Sequence, residues 1–262
     1  FSASTNDEAY LTGSYMPGNS NTQAYEFRIK PLGKSADEKM SLMKVGTPSG
    51  IPKQMTWLER SASSNYAYLN YSFADDNSTT FKSGSLGKLP IFDGDWWNIL
   101  VRHNTAATTI TLTAQKSPDH ANGLVTHKSS SDIDYDAGSG DPYGWDKNTL
   151  THWSFGEQKT NVAIGGTTNT TTNYYHGWAQ EIRFWKEQID DDVFDLHTKA
   201  PTSFLGNSYS SSYDKLIQRI PLGTDNNLIP TESANLVDTS QSIRDTFSYG
   251  IKTIAGGSSY AW

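Results

Sequence analysis

The densest cluster of potential metal ligands lies in residues 129–148, which read SSSDIDYDAGSGDPYGWDKN. Asp132, Asp134 and Asp136 alternate along its start, and glycines follow. Carboxylate oxygens on a flexible loop suit Ca²⁺. The spacing matches the start of an EF-hand loop, but the glycine and the glutamate that such a loop needs at its sixth and twelfth positions are absent. We interpret the stretch first as a solvated loop and second as a candidate calcium site.

The same stretch carries the residue types that bind sugars. Tyr135, Tyr143 and Trp145 supply aromatic rings, and Asp141 lies beside them in the sequence. An aromatic ring can stack on the apolar face of a sugar while polar groups read its hydroxyls. Aromatic residues of a sandwich also pack in its core or at its edges. These four residues are therefore a candidate glycan site, with structural packing as the alternative.

The elements that must position these residues are predicted to be strands. Alternation of apolar and polar residues, or runs of β-forming residues, is found in residues 24–30, 66–73, 96–102 and 108–114. Clusters of glycine, proline and aspartate separate these segments at intervals typical of a sandwich or jelly roll. The sequence therefore predicts an all-β protein.

One helix is predicted, over residues 190–199. The segment IDDDVFDLHTK places aspartates in the first turn and is followed closely by a proline. Its expected core face is Val193, Leu196 and His197. No second metal ligand lies at a suitable spacing from His197, so we assign that residue to packing.

The strand before this helix is expected to present two different faces. Ile182 and Phe184 share one face by simple alternation. The opposite face then carries Glu181, Arg183 and Trp185. Arg183 is expected to pair there with a neighbouring carboxylate.

Five blocks of the sequence, read in order, resemble laminin-G-like and concanavalin A-like domains. They are FSASTNDEAYLTGS, AYEFRIKP, FDGDWWNILVRHN, NVAIGG and YYHGWAQEIRFWKEQIDDDVFDLHTKAP. The resemblance covers about residues 1–205 and implies a two-sheet antiparallel sandwich, or jelly roll. Within the blocks, Gly94 and Trp96 are expected to make a turn that delivers a large aromatic to the core. Gly177 is expected to let a strand pass closely beneath its neighbour.

Some sandwiches of this kind are glycoside hydrolases, which need two carboxylates flanking the sugar bond. The family version is a Glu-x-Asp-x-x-Glu strand. The nearest approach here is Glu181 with Glu187, and Arg183 replaces the central aspartate. Nucleophile elbows, phosphate-binding glycine loops and zinc-binding helix motifs are also missing from the sequence. We therefore expect that the protein is not an enzyme.

Residues 206–262 change in character. A polar, serine-rich stretch precedes an apolar strand with the sequence PLG. We predict a C-terminal extension that forms either edge strands of the same sandwich or the start of a following sandwich repeat. Cysteine-free sandwiches with such a connector are similar to those in virion structural proteins of tailed phages and large aquatic viruses.

The composition limits the partners. The net charge is −7 and no basic run is present, which argues against nucleic acid. No apolar stretch reaches the roughly 20 residues of a membrane span. We expect a structural or adhesive module on a virion or outside a cell. Its expected partners are neighbouring virion or surface-protein subunits and host glycans. A calcium-dependent lectin and a carbohydrate-active enzyme domain are the alternatives.

Overall fold

The structure is a computed structural model of the 262-residue chain. It describes residues 2–3, 10–15, 22–33, 39–46, 54–62, 65–74, 81–104, 108–117, 128–134, 151–157, 159–164, 168–222, 252–255 and 258–261.

The described residues form strands that are numbered here along the chain. Their bounds are Ser2–Ala3 (β1), Tyr10–Tyr15 (β2), Thr22–Pro31 (β3), Lys39–Gly46 (β4), Gln54–Arg60 (β5), Ala67–Ala74 (β6), Phe81–Leu89 (β7), Trp97–Asn104 (β8), Thr109–Lys116 (β9), Lys128–Asp134 (β10), Thr151–Phe155 (β11), Lys159–Ile164 (β12), Thr168–Thr172 (β13), Gly177–Trp185 (β14), Leu216–Ile220 (β15), Lys252–Ala255 (β16) and Ser258–Ala261 (β17).

These strands build two large antiparallel sheets and a hairpin. Sheet A has the order β1-β14-β3-β8-β9-β10, and β15 also pairs with β14. Sheet B has the order β17-β16-β2-β11-β4-β5-β6-β7. The hairpin of β12 and β13 lies against β7 and β4.

The apolar sides of the two sheets face each other and form the core. Tyr15 of sheet B stacks on Phe184 of sheet A, with ring centroids 4.5 Å apart. Phe27 of sheet A meets Phe155 of sheet B edge to face at 5.5 Å. Face-to-face packing of two sheets whose strands alternate inward apolar and outward polar residues is the defining feature of a sandwich. The predicted all-β, two-sheet antiparallel sandwich is confirmed.

The predicted short helix is also confirmed, as Asp191–Lys199 (α1). Its buried residues are Phe194, His197 and Thr198, whereas Leu196 is 36% exposed. The expected core face was therefore correct for His197 and wrong for Leu196. A second helix, Ser211–Asp214 (α2), has a single turn. None of the helices in the described ranges is long and apolar enough to cross a membrane.

Helix α1 covers part of the outer side of sheet A, the side that faces away from sheet B. A second, smaller apolar cluster forms beneath it, made of Ala24, Leu100, Trp185, Ile189, Phe194 and Leu216. Where α1 covers it, sheet A is therefore buried on both sides.

Part of the predicted C-terminal extension joins the same sheets. The strand β15 pairs with β14, and β16 pairs with β2. Whether the chain divides into two units near residue 206 stays a prediction.

A network of buried charges lies on the outer side of sheet A beside α1. Arg219 donates from Nε and Nη2 to the two carboxylate oxygens of Glu181, at 2.8 and 2.7 Å. Arg183 lies 2.7 Å from Glu181 and 3.5 Å from Glu26. His197 Nδ1 lies 2.8 Å from Glu26. The four charged side chains of Glu26, Glu181, Arg183 and Arg219 are only 1–4% exposed, so they must satisfy one another.

The network keeps Glu26 ionised. Burial by itself would raise the pKa of this carboxyl, but His197 and Arg183 beside it lower the pKa to about 2. The indole nitrogen of Trp185 also donates to Glu26, at 3.0 Å. Glu26 is therefore a carboxylate at neutral pH, and Arg183 pairs with carboxylates as the sequence indicated.

The backbone bends where Glu181 enters the network. The pairing of β14 with β3 shifts register between Gln180 and Arg183, and Glu181 has a φ of +52°. A non-glycine residue in this left-handed conformation costs on the order of 1–3 kcal/mol and persists only where its surroundings hold it. The two arginines that bind the Glu181 carboxylate keep the residue in this conformation.

Replacing Arg219 by methionine should destabilise the protein strongly. The substitution leaves Glu181 buried with one cation fewer, and breaking a buried pair in this way costs about 3–5 kcal/mol. The free energy of unfolding, measured by urea denaturation, is the test. The matched control is Lys39→Met, because Lys39 and Glu59 are a half-exposed pair at 3.5 Å and such pairs contribute less than about 1 kcal/mol. Equal losses in the two variants would contradict the structural role of the network.

Candidate functional site

Beyond α1, the described residues on the outer side of sheet A include a group of partly exposed side chains. They are Arg28 and Lys30 of β3, Trp96 just before β8, and Trp178 and Gln180 of β14. All five are partly exposed or exposed, and Trp178 reaches 38%. We call this set the open face. It combines two tryptophan rings, two cations and an amide.

Strand register extends the open face into one row of polar side chains, in which Asn98 is only 6% exposed and Gln115 is fully buried. Gln180 pairs with Arg28, Arg28 with Asn98, and Asn98 with Gln115. Residues adjacent to this row, such as Ile29 and Ile99, belong to the core. Because successive side chains of a strand point to opposite sides, the row faces outward.

Arg28 is the centre of this row. Its guanidinium lies over the ring of Trp96, 4.7 Å from the ring centroid. Nη1 donates to Gln180 Oε1 at 3.3 Å, and Nη2 donates to Ser117 Oγ at 3.2 Å. Nε is buried and has no hydrogen-bond partner among the described residues. Burial, opposed by Glu181 and assisted by Arg183, lowers the pKa of Arg28 to about 10, so Arg28 is charged at neutral pH.

A second cation and ring lie beside it. Lys30 Nζ is 5.7 Å from the ring centroid of Trp178, which is within the range of a cation–π contact. Residues Trp178 and Lys30 are direct partners in the sheet. The open face thus carries two pairs, each made of a cation and a tryptophan ring.

Amide and hydroxyl groups complete the row. Asn98 Nδ2 donates to Ser117 Oγ at 3.1 Å. Both side-chain polar atoms of Gln115 are buried and lack a hydrogen-bond partner in the described parts of the chain.

Gly177 allows Trp178 to reach its place. Its φ is +141°, and a Cβ atom there would lie 2.4 Å from the carbonyl oxygen of Lys30. Only glycine fits this conformation and this close approach. The expectation that Gly177 lets one strand pass close to its neighbour is confirmed.

The structure describes two of the three predicted calcium ligands. Asp132 and Asp134 lie on the edge strand β10, with exposed side chains, rather than on a loop as expected. Between them Ile133 points into the core, and Asp132 accepts a hydrogen bond from Thr111 at 2.7 Å. Asp136 lies outside the described residues. Calcium binding stays a prediction.

The predicted glycan residues cannot be placed in the same way. Tyr135, Asp141, Tyr143 and Trp145 all lie outside the described residues. Within the described part of the chain, no group of three or more histidine, aspartate and glutamate side chains is arranged to hold a metal ion.

The two glutamates considered for catalysis have other partners. Glu181 is 1% exposed, and both its oxygens accept hydrogen bonds from Arg219. Glu187 accepts a hydrogen bond from the backbone of Asn207 at 3.1 Å. Neither arrangement resembles a pair of carboxylates that flank a substrate.

Sequence reasoning missed the open face. It assigned Trp96 to the core, but the core residue is Trp97, which is fully buried, while Trp96 lies over Arg28. Two adjacent tryptophans at a strand start must point to opposite sides, and the sequence does not indicate which points inward. The signal that was available is the pair of cations, Arg28 and Lys30, at alternate positions of one predicted strand.

Comparisons with known proteins show similarity of fold only. No protein-family model and no curated protein matches the sequence. The enzymatically active domain of tailspike protein 2 from bacteriophage CBA120 matches with a TM-score of 0.50 and 14% identity, over 80% of this chain and 28% of that one. The full-length tailspike protein 2 from an Escherichia coli O157:H7 bacteriophage matches at 0.49 and 15%, over 80% and 25%. A heptameric SAP-like pentraxin from Limulus polyphemus matches at 0.42 and 12%, over 79% and 81%. The chain thus spans about a quarter of the length of the tailspike chains.

Gly177→Ala should destabilise the protein, because the added Cβ meets a backbone oxygen that cannot move away easily. We expect a loss of at least about 2 kcal/mol, from the strained φ together with the clash. Gly87→Ala is the matched control, since nothing lies within 4 Å of a Cβ at that position. Thermal and urea denaturation of both variants measure the difference. A Gly177 variant as stable as the Gly87 variant would show that the described approach of β14 to β3 is wrong.

Proposed function

We propose that this chain is a non-enzymatic binding module that holds saccharides on the open face of sheet A, on a virion or outside a cell. The observation that carries the proposal is the pair of tryptophans, Trp96 and Trp178, that lie on this face with polar groups between them. Exposed aromatic rings beside amides and cations are the groups with which proteins recognise sugars.

The chemistry of the open face suits a sugar ring. The C–H groups of a sugar stack on an indole ring, which carries a partial negative charge on its faces. The hydroxyls of the sugar can then exchange hydrogen bonds with Gln180 and Ser117, whose side chains are partly exposed in or beside the polar row. The strands that carry these groups are paired on both sides, so the site is preorganised.

Several contacts support a binding role rather than catalysis. Hydrolysis of a sugar bond needs carboxyl groups that reach the substrate. The carboxylates of Glu26 and Glu181 are buried beside α1 and are held by arginines. The open face as described carries cations and amides instead. The alternative is a carbohydrate-active enzyme, because the tailspike domain of similar fold is described as enzymatically active.

A location on a virion is part of the proposal. The tailspike is a bacteriophage protein, and it contains a region of this fold. The cysteine-free composition and the connector-like PLG sequence of the C-terminal part point in the same direction. Neighbouring virion or surface-protein subunits would be the protein partners.

Removing either tryptophan ring should weaken saccharide binding. We expect Trp178→Ala and Trp96→Ala each to raise the dissociation constant by about tenfold or more, equivalent to about 1.4 kcal/mol. A glycan array identifies bound saccharides, and calorimetry gives the constants. The control is Tyr209→Ala, because Tyr209 is 78% exposed but lies near α2, away from the open face.

The same experiment tests the absence of catalysis. Saccharides that bind should be recovered unchanged after prolonged incubation with the protein. Binding that is equal in the tryptophan variants and the control would remove the open face as the site. Cleaved saccharide would favour the enzyme alternative.

The virion location can be tested on purified particles. We expect mass spectrometry to find the chain in the particles and cryo-electron microscopy to find it at repeated, ordered positions against other subunits. A chain recovered only as a free, secreted monomer would contradict this part of the proposal and leave saccharide binding as a separate property.

A further inference from the structure

Arginines outnumber carboxylates on β3, β14 and β15 at the outer side of sheet A. Three arginines, Arg28, Arg183 and Arg219, lie within one region, together with two carboxylates, those of Glu26 and Glu181. Both carboxylates are buried and in direct contact with arginines. One guanidinium is therefore left over.

Arg28 is the arginine without a carboxylate. Arg219 takes both oxygens of Glu181, and Arg183 bridges Glu181 and Glu26. The contacts of the Arg28 guanidinium are neutral: Gln180, Ser117 and the ring of Trp96. No carboxylate of the described residues forms an ion pair with it, although Glu181 is near enough to raise its pKa.

The nearby carboxylates of Asp93 and Asp95 form no ion pair with Arg28 in the part of the chain that the structure describes. Asp93 and Asp95, in the turn before Trp96, both contact Lys116, at 2.8 and 2.6 Å. Lys30 adds a second positive charge beside Trp178. The open face is thus positive, although the net charge of the whole chain is −7.

The remaining donors of Arg28 suit an anion with planar or tetrahedral oxygens. A guanidinium has five N–H groups in a fixed fork, and the described contacts of Arg28 use two of them. A cation that has lost part of its hydration and has no counter-ion attracts an anion more strongly than one in bulk water.

We propose that the open face selects acidic saccharides, with the carboxylate or sulfate of the sugar paired with Arg28 and the sugar ring stacked on a tryptophan. This inference rests on the proposed function and adds the class of ligand. Lys30, beside Trp178, strengthens the attraction.

The test compares acidic saccharides with their neutral counterparts. The probes are sialyllactose with lactose, oligogalacturonate with its carboxyl-reduced form, and a sulfated oligosaccharide with its unsulfated form. Calorimetry on the full chain should give at least about tenfold tighter binding of the acidic member of one pair. The pair that shows the preference identifies the anionic group. The preference should shrink as salt is raised.

Three variants assign the preference to Arg28. Arg28→Gln should abolish it, so that the acidic and the neutral member of the pair bind this variant with dissociation constants within about threefold of each other. Arg28→Lys keeps the charge and loses the fork, so it should retain part of the preference and it also serves if the glutamine variant is unstable. Lys88→Gln makes the same change in net charge at an exposed position of β7 and should have no effect.

Two results would overturn this inference without touching the proposed function. One is equal binding of acidic and neutral members, lost in Trp178→Ala. The other is an equal loss of preference in Arg28→Gln and Lys88→Gln, which would make net charge the cause. A wild-type protein that binds no saccharide of any kind would instead remove the proposed function, and the inference with it.

Discussion

The buried charges of Glu26, Glu181, Arg183 and Arg219 are the constraint on which the outer side of sheet A depends. Two carboxylates and two guanidiniums out of contact with water are stable only if each is paired in good geometry. That requirement ties β14 to β15 through Arg219 and to β3 through Glu26. It also explains why α1, with His197 in contact with Glu26, is fixed over this end of the sheet.

The same constraint separates the outer side of sheet A into two parts. The register shift at Glu181 marks the point on β14 where burial ends: Trp185 on one side of it is covered, whereas Trp178 on the other is exposed. Because the two buried carboxylates are already shared by Arg183 and Arg219, Arg28 remains a cation with neutral neighbours. An interaction that stabilises the covered part thus leaves the open face with a positive charge that a ligand can use.

Particular residues show which features of the structure the sequence predicts and which it does not. Alternation correctly placed Ile182 and Phe184 in the core. It also placed Arg183 on the opposite side of the strand, where it pairs with a carboxylate. It failed at Trp96 and Trp97, because periodicity does not say which of two adjacent aromatic residues points inward. In α1 it favoured Leu196 over Phe194, since the direction from which the helix meets the sheet is a tertiary property. The aspartates of β10 were expected on a loop, but a strand with polar residues on its outer side has the same composition as a loop.

By itself the sequence determined the class of fold and the position of its helix. Short-range alternation, turn residues and an acidic first turn are local signals, and local signals suffice to define strands and one helix. Only the tertiary structure decided which charges meet. Glu26, Glu181 and Arg219 are far apart in the chain and are brought together by strand register. The open face arises for the same reason: whether an arginine has a counter-ion depends on neighbours from other strands, about which the sequence around it carries no information.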